Sequence, residues 1–275
     1  MIGVRGHDLG IFTIESIDEL IKKIKFYNYT HIQLVLWKSF SDIDENLNNL
    51  TNEKIDIISS KFKANNIDIS VLGAYYNMIS PNLEERTNGF NRFEKMLKLA
   101  NKLGGSFVAT ETGSFNEDMS FNKENHSLEA FNIVSNSTKN LIKTAEKSDS
   151  FVGIEGVYTL SIWDIDTLKK LCTECNSKYL RFIFDPVNLI NENNYLDQDN
   201  LIISFFETFG SFIEIVHFKD FIIKNNKVIR VPPGKGLLNY SLLIKIMKQL
   251  NLRGIIEEIN ESEMSEAIDF LNTLI

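Results

Sequence analysis

The chain has 275 residues, 43% of them hydrophobic and 11% aromatic, which suits one large α/β domain with a full core and carries no bias toward disorder. Against 37 acidic residues stand 29 Lys and Arg, a net charge of −8, and no dense basic block gathers a phosphate backbone, so nucleic acid is excluded as a partner. The opening MIGVRGHDLG lacks the basic start and long apolar stretch of a signal peptide, and runs such as Leu201 to Phe206 fall far short of a membrane span of roughly 20 residues. A soluble, cytoplasmic protein with no membrane partner is expected.

Short β-rich runs alternate with amphipathic helical patterns along the whole chain, with no Pro/Gly/Ser-rich linker between them. One domain over residues 1–275 is expected. The first strand is Ile2 to Arg5, followed by a helix with apolar Ile17, Leu20, Ile21 and Ile24 and a capping box from Ser16 and Glu19. Strands two and three, Ile32 to Leu36 and Ile67 to Leu72, precede helices over Glu53 to Ala64 and Leu83 to Leu103, the latter stopped at Gly104 and Gly105. Strand four, Phe107 to Thr110, leads into a helix with Leu128, Phe131, Val134, Leu141 and Ala145 on one stripe. Strands five to eight are Val152 to Glu155, Arg181 to Asp185, Glu214 to Lys219 and Gly254 to Ile259. Helices over Ile162 to Cys175, Leu201 to Phe209, Tyr240 to Leu250 and Ser262 to Leu274 complete the alternation. Eight strand and helix pairs predict a (β/α)8 TIM barrel over the alternative of an open doubly wound sheet, because no Gly-x-Gly-x-x-Gly follows any strand.

The cysteines Cys172 and Cys175 form a C-x-x-C at the end of a helix. Two thiols do not complete a zinc site, and a redox pair wants the start of a helix, where the dipole stabilises thiolate. They read as packing residues.

In a barrel the C-terminal strand ends converge on the face that carries the active site. Strand five ends in GIEG on Glu155, strand six in FIFDPVN on Asp185, strand seven runs EIVHFKD through His217, and strand eight reads GIIEEIN with Glu257 and Glu258. A carboxylate after a strand is commonly a helix cap, and a lone His commonly a structural hydrogen-bonding group. Three carboxylates and an imidazole gathered in an apolar barrel mouth, however, repel one another unless a cation compensates them. An O₃N donor set suits one divalent ion, Mn²⁺ first, with Mg²⁺, Co²⁺ and Zn²⁺ also compatible. The segment FIIKNNKVIRVPPGKG before strand eight reads as a hairpin insertion turning at Asn225 and Asn226.

GIEGV, FIFDPVNL, VHFKD, PPGKGLLNY and GIIEEIN resemble successive signatures of the xylose isomerase-like barrel superfamily, the sugar phosphate isomerase/epimerase group, and VLGAYYNMISPN and ATETGS resemble its third and fourth strand endings. The resemblance implies that Glu155, Asp185, His217 and Glu257 bind one divalent metal. It also implies that Glu155 and Glu257 form an acid/base pair for isomerising or epimerising a sugar, sugar phosphate or polyol next to its carbonyl. Glu257 is taken as the ligand over Glu258, since period-two alternation sends the other side chain away from the barrel interior.

Further candidates for substrate contact are His7, Trp37, Tyr76, Glu111, Asn188, Lys219, Arg230 and Lys235, each with a plain structural alternative. Lys235 stands near where barrels often bind phosphate. The chain departs from the family pattern at Asn188, where a His is frequent, and at Lys219 and Asp220, where an Arg is usual, although Arg230 would return from the hairpin. With only His7, His31, His126 and His217 the chain lacks the histidines of the superfamily's DNA-repair endonucleases. Two rivals remain beside the isomerase: a dehydratase of a keto-inositol or related polyol on the same metal site, and a non-catalytic sugar-binding barrel. Homo-oligomerisation through an apolar helix face stays open.

Overall fold

The computed structural model describes residues 2–275. In chain order its regular elements begin with β1 (Ile2–Arg5), α1 (Ile17–Phe26), β2 (His31–Leu34), α2 (Leu36–Ser39), α3 (Asn52–Ala64), β3 (Asp68–Gly73), α4 (Leu83–Leu103) and β4 (Phe107–Thr110). They continue through α5 (Leu128–Ser148), β5 (Phe151–Glu155), α6 (Ile165–Cys175), β6 (Leu180–Phe184), α7 (Pro186–Leu189), α8 (Gln198–Phe209) and β7 (Ile213–Phe218). The last are β8 (Asp220–Lys224), β9 (Lys227–Val231), α9 (Tyr240–Leu250), β10 (Arg253–Ile256) and α10 (Glu261–Asn272). Eight strands close into a parallel barrel in the order β1-β10-β7-β6-β5-β4-β3-β2, while β8 and β9 pair as an antiparallel hairpin outside it. This is a (β/α)8 TIM barrel, not an open sheet, and the hairpin turns at Asn225 and Asn226, both with positive φ.

Local chemistry explains the element ends. The Asn82 side chain accepts the Glu84 and Glu85 N–H groups to start α4, and Gly104, at φ +91°, stops it in the left-handed conformation that glycine takes without penalty. Asp164 and Thr167 form a capping box that starts α6 three residues later than the apolar pattern suggests. The expected box at Ser16 does not form. Ser16 has a turn backbone and its Oγ accepts the Thr13 N–H instead, so no side chain caps α1. Strand two ends at Leu34, earlier than its apolar run, because Val35 already opens the single turn of α2.

Inside the barrel, Val71, Phe107, Ala109, Ile183, Ile215 and Ile255 form an apolar cluster separate from the larger core between barrel and helices. Strand alternation then aims the residues two positions further on into the barrel's C-terminal mouth. Ile183 is followed by Asp185, Ile215 by His217 and Ile255 by Glu257. Cys172 and Cys175 are free thiols packed against the core at the end of α6, and burial pushes the Cys175 thiol up to about 11. Among the described residues no helix is long and apolar enough to cross a membrane.

Candidate metal centre

Glu155 is the last residue of β5, Asp185 follows β6, His217 lies near the end of β7 and Glu257 follows β10. One ligand atom from each lies within 4.8 Å of the others, and all four side chains are buried. His217 Nδ1 is 3.3 Å from Glu155 Oε1 and 3.3 Å from Glu257 Oε1. On its other edge, Nε2 meets Gln33 Oε1 at 2.8 Å. That contact makes Nε2 the protonated nitrogen and leaves the Nδ1 lone pair for a ligand.

Asp185 explains why an apolar strand ends on an acid. Its Oδ1 accepts the Val187 and Asn188 N–H groups, capping α7, where Pro186 takes the first position. Its Oδ2 is buried, faces the Lys219 ammonium at 3.0 Å and accepts no well-directed hydrogen bond. A buried carboxylate oxygen so poorly satisfied beside two further carboxylates and an imidazole fits a cation ligand. The four ligand atoms, within 4.8 Å of one another, stand wider than ligands around one bound ion, so gathering one requires them to move inward.

Lys219 is the second charge in the cluster. Its fully buried Nζ lies 2.7 Å from Glu257 Oε1 and 3.1 Å from Glu258 Oε1, and donates to Asn188 Oδ1 at 3.3 Å. Burial works against its charge, but Asp185 and Glu257 outweigh that and hold it protonated. Burial likewise opposes a charged Glu257, yet His217 and Lys219 keep its carboxyl well below the usual range. Burial raises Asp185 against the pull of Lys219. His217, despite the burial that favours its neutral form, is raised to about 10 by Glu257 and Glu155 in the absence of a metal.

Glu258 does not turn away as alternation predicts. The strand ends at Ile256 and Glu258 adopts φ +56°, so its carboxylate swings back over the mouth to Lys219 and to Arg230 Nη1 at 3.1 Å. Such a conformation is strained for a non-glycine residue and concentrates at functional sites. Arg230 does return from the hairpin: its Nη2 donates to Asn188 Oδ1 at 2.7 Å. Asn188 in turn donates to Glu155 Oε1 at 2.7 Å, so this amide orients a carboxylate of the cluster.

A cavity of about 620 Å³ reaches the cluster at Glu257, the one of the four residues that lines it, with Arg5, Tyr75, Glu111 and Glu258 at the same end. Trp37 and Tyr76 also line it, Trp37 lying 4.7 Å beneath the Arg92 guanidinium. Burial, with help from the Glu155 charge, raises the Glu111 carboxyl to about 7. His7 and Lys235 are not brought to this cavity. His7 sits in a 3₁₀ turn after β1, where burial and the charges of Arg5 and Lys38 push it down to about 3. Lys235 pairs on the surface with Glu266 of α10. Sequence reasoning missed Arg5, Gln33 and Tyr75, whose hydroxyl accepts the Gln33 Nε2–H at 2.5 Å while Arg5 Nη1 reaches Glu257 Oε2 at 3.5 Å.

Fold and site together define a (β/α)8 barrel with a buried, metal-type carboxylate and histidine centre at its C-terminal mouth. A family model described as xylose isomerase-like TIM barrel matches residues 21–274, and the chain belongs to that family. Among solved structures it shares its fold with the IOLI protein carrying a zinc atom, at 12% identity and TM-score 0.75 over 99% of this chain and 95% of that one. It is similar to the 3-keto-D-glucoside 4-epimerase YcjR from E. coli, at 18% identity and TM-score 0.71 over 99% and 98% of the two chains. The same holds for the D-psicose 3-epimerase from Clostridium cellulolyticum H10 with D-tagatose, at 13% identity and TM-score 0.73 over 99% and 98%. At these identities the likeness is one of fold. No curated protein sequence matches the chain.

Proposed function

We propose that the protein is a divalent-metal-dependent isomerase or epimerase of a small sugar or polyol, working by proton abstraction next to a carbonyl. The observation that carries this reading is the convergence of Glu155, Asp185, His217 and Glu257, from four adjacent strands, within 4.8 Å. These four residues would hold the ion, Mn²⁺ being the first choice for an O₃N set. When bound, the ion supplies Lewis-acid polarisation of a carbonyl and its neighbouring hydroxyl.

The proton work falls to Glu155 and Glu257. Both contacts of Glu155, with Asn188 and His217, fall on Oε1, leaving Oε2 for the substrate carbon. Glu257, held ionised by His217 and Lys219, meets the same imidazole nitrogen, Nδ1, as Glu155 does. One carboxylate takes the proton from the carbon beside the carbonyl. Its return to the neighbouring carbon, with the hydroxyl proton passing to the former carbonyl oxygen, isomerises the sugar, and delivery of a proton by the other Glu to the opposite face of the same carbon epimerises it. Lys219 and Arg230 offer cationic donors to the oxygens that gain charge, while Trp37, Tyr76 and Glu111 line the substrate cavity. The Asn188 position, where the family frequently has His, serves here to orient Glu155.

The test is proton NMR in D₂O with Mg²⁺-loaded protein and a panel of ketoses, aldoses, their phosphates and keto-inositols. Deuterium is expected to enter a carbon next to the carbonyl, and to stop doing so in Glu155→Gln, in Glu257→Gln and after chelation. Exchange that persists without metal rejects the reading, and no exchange across the panel with the metal bound replaces it with a sugar-binding barrel.

A further inference from the structure

The cavity is larger than the proposed chemistry needs. A hexose has about 12 non-hydrogen atoms, each occupying roughly half the ~30 Å³ share of a water molecule, so one ring fills about 200 Å³. The 620 Å³ present accommodates a second ring beside the reacting one. Its far wall is made by Trp37, Asn46 and the first turns of α4, where Asn88 lines the opening.

The wall chemistry is wrong for a phosphate. Six carboxylates, Glu45, Glu84, Glu85, Glu111, Glu257 and Glu258, line it with three cations, Arg5, Lys38 and Arg92; Lys219 and Arg230, outside the lining, already compensate Glu257 and Glu258, which leaves Glu84, Glu85 and Glu111 without an ion-pair partner. Two of those cations are already committed: Arg5 pairs with Asp8 at 2.8 Å and Arg92 with Glu45 at 3.0 Å while also donating to the Tyr75 carbonyl. Lys38 alone is unpaired, lying over the Tyr75 ring. Lys235, from the loop expected to meet a phosphate, is held on α10. A dianion entering this cavity meets excess negative charge, whereas neutral hydroxyls find carboxylate and amide acceptors. Glu111, half-buried just after β4, is one such group, its side chain making no hydrogen bond or ion pair with any described residue.

We propose that the substrate is an uncharged two-ring sugar, a keto-disaccharide or glycoside, whose reacting ring lies over the carboxylate cluster and whose second ring occupies the cavity beside Trp37. This rests on the isomerase or epimerase reading above and adds the substrate class. An aromatic wall at the outer ring and carboxylate acceptors at the inner one match the two faces of a sugar, apolar C–H and polar hydroxyl.

The experiment measures deuterium exchange beside the carbonyl, with Mg²⁺-loaded protein, for D-fructose, D-fructose 6-phosphate, isomaltulose and lactulose. At least one of the two disaccharides is expected to exceed fructose in kcat/KM by roughly tenfold, the effect of about 1.4 kcal/mol of added contact, with the phosphate below fructose. Trp37→Ala is expected to lower the ratio of disaccharide to fructose kcat/KM. Faster exchange with the phosphate, or with fructose than with both disaccharides, overturns the two-ring proposal while leaving the proton-abstraction reading in place. Exchange with none of the four, metal bound, while an aldose or keto-inositol of the wider panel exchanges, also overturns the two-ring proposal and leaves that reading in place; no exchange across the whole panel removes both. Should Trp37→Ala fail to fold, the order of the four substrates on the unaltered protein still decides.

Discussion

Gln33 Oε1 and His217 Nε2 lie 2.8 Å apart inside the barrel, joining strands β2 and β7 across its mouth. Gln33 is fixed from its other end by the Tyr75 hydroxyl, so the amide cannot flip without losing both contacts. The pair selects the tautomer that leaves His217 Nδ1 free toward Glu155 and Glu257. Removing such an orienting partner typically weakens metal binding about 10–100-fold. Gln33→Leu is therefore expected to raise the Kd for Mn²⁺ by that factor, measured by calorimetry, with the fold retained in circular dichroism. Unchanged affinity would assign Gln33 to packing alone.

Those two residues also show what was legible from sequence. His217, Glu155, Asp185 and Glu257 announced themselves because each is a ligand-type side chain ending an apolar strand, and strand ends in a barrel share one face. Gln33 gave no such sign by residue type. Its signal was parity: in HIQL, Gln33 stands two after His31 in a strand buried at every position. Arg5 follows Gly3, and Tyr75 follows Gly73, by the same step into the mouth. Glu258 was misread because alternation fails once the strand ends, and its left-handed backbone is set by the closing mouth, not by local sequence. The false capping box at Ser16 has the same origin: the motif was present, but Thr13 took the serine hydroxyl.

Asp220 holds the hairpin to the barrel. Its Oδ1 accepts the N–H groups of Phe221 and Leu238 at 2.8 and 2.9 Å, and its Oδ2 those of Gly234 and Gly236 at 3.1 and 3.0 Å. Gly236 must be glycine for this approach, since a Cβ there would meet the Phe221 carbonyl at 2.2 Å. Asp220→Ala leaves several buried donors unpaired at about 1–3 kcal/mol each. Expected is a loss of roughly 3 kcal/mol or more in urea unfolding, with Mn²⁺ affinity changed far less than in Gln33→Leu, because no cluster ligand is touched. An equal loss of affinity would place the hairpin in the metal site.

His31 makes the fold acid-sensitive. It is fully buried at the start of β2, its Nε2 bonded to the Gly254 carbonyl, and burial pushes it down to about 3 from 6.5. The unfolded chain takes up this proton near 6.5 and the folded protein not until about 3, so between those values the unfolded state binds more protons. The stabilisation from neutral His31 is complete above pH 6.5 and is lost as pH falls toward 3. Its slope is about 1.4 kcal/mol per pH unit. From pH 7 to 5 the native chain should lose about 2 kcal/mol more than His31→Gln in denaturant titrations. Parallel profiles for the two would refute the assignment.

Lys219 and the metal compensate the same carboxylates. With Nζ at 3.0 Å from Asp185 and 2.7 Å from Glu257, and 3.1 Å from the more exposed Glu258, the ammonium compensates the two buried acids where no ion does. Its backbone is held by the Tyr240 hydroxyl, which donates to the Lys219 carbonyl at 2.7 Å, so the position survives changes in the side chain. Lys219→Met removes one charge and leaves its partners uncompensated, a loss of about 3–5 kcal/mol for a broken buried pair. A divalent ion restores the missing charge. The metal-free variant should therefore melt well below the metal-free native protein, while saturating Mg²⁺ raises the Tm of the variant by more than it raises that of the native chain. If Mg²⁺ raised both by the same amount, the ammonium and the ion would answer different carboxylates, and Asp185 and Glu257 would no longer stand as shared partners.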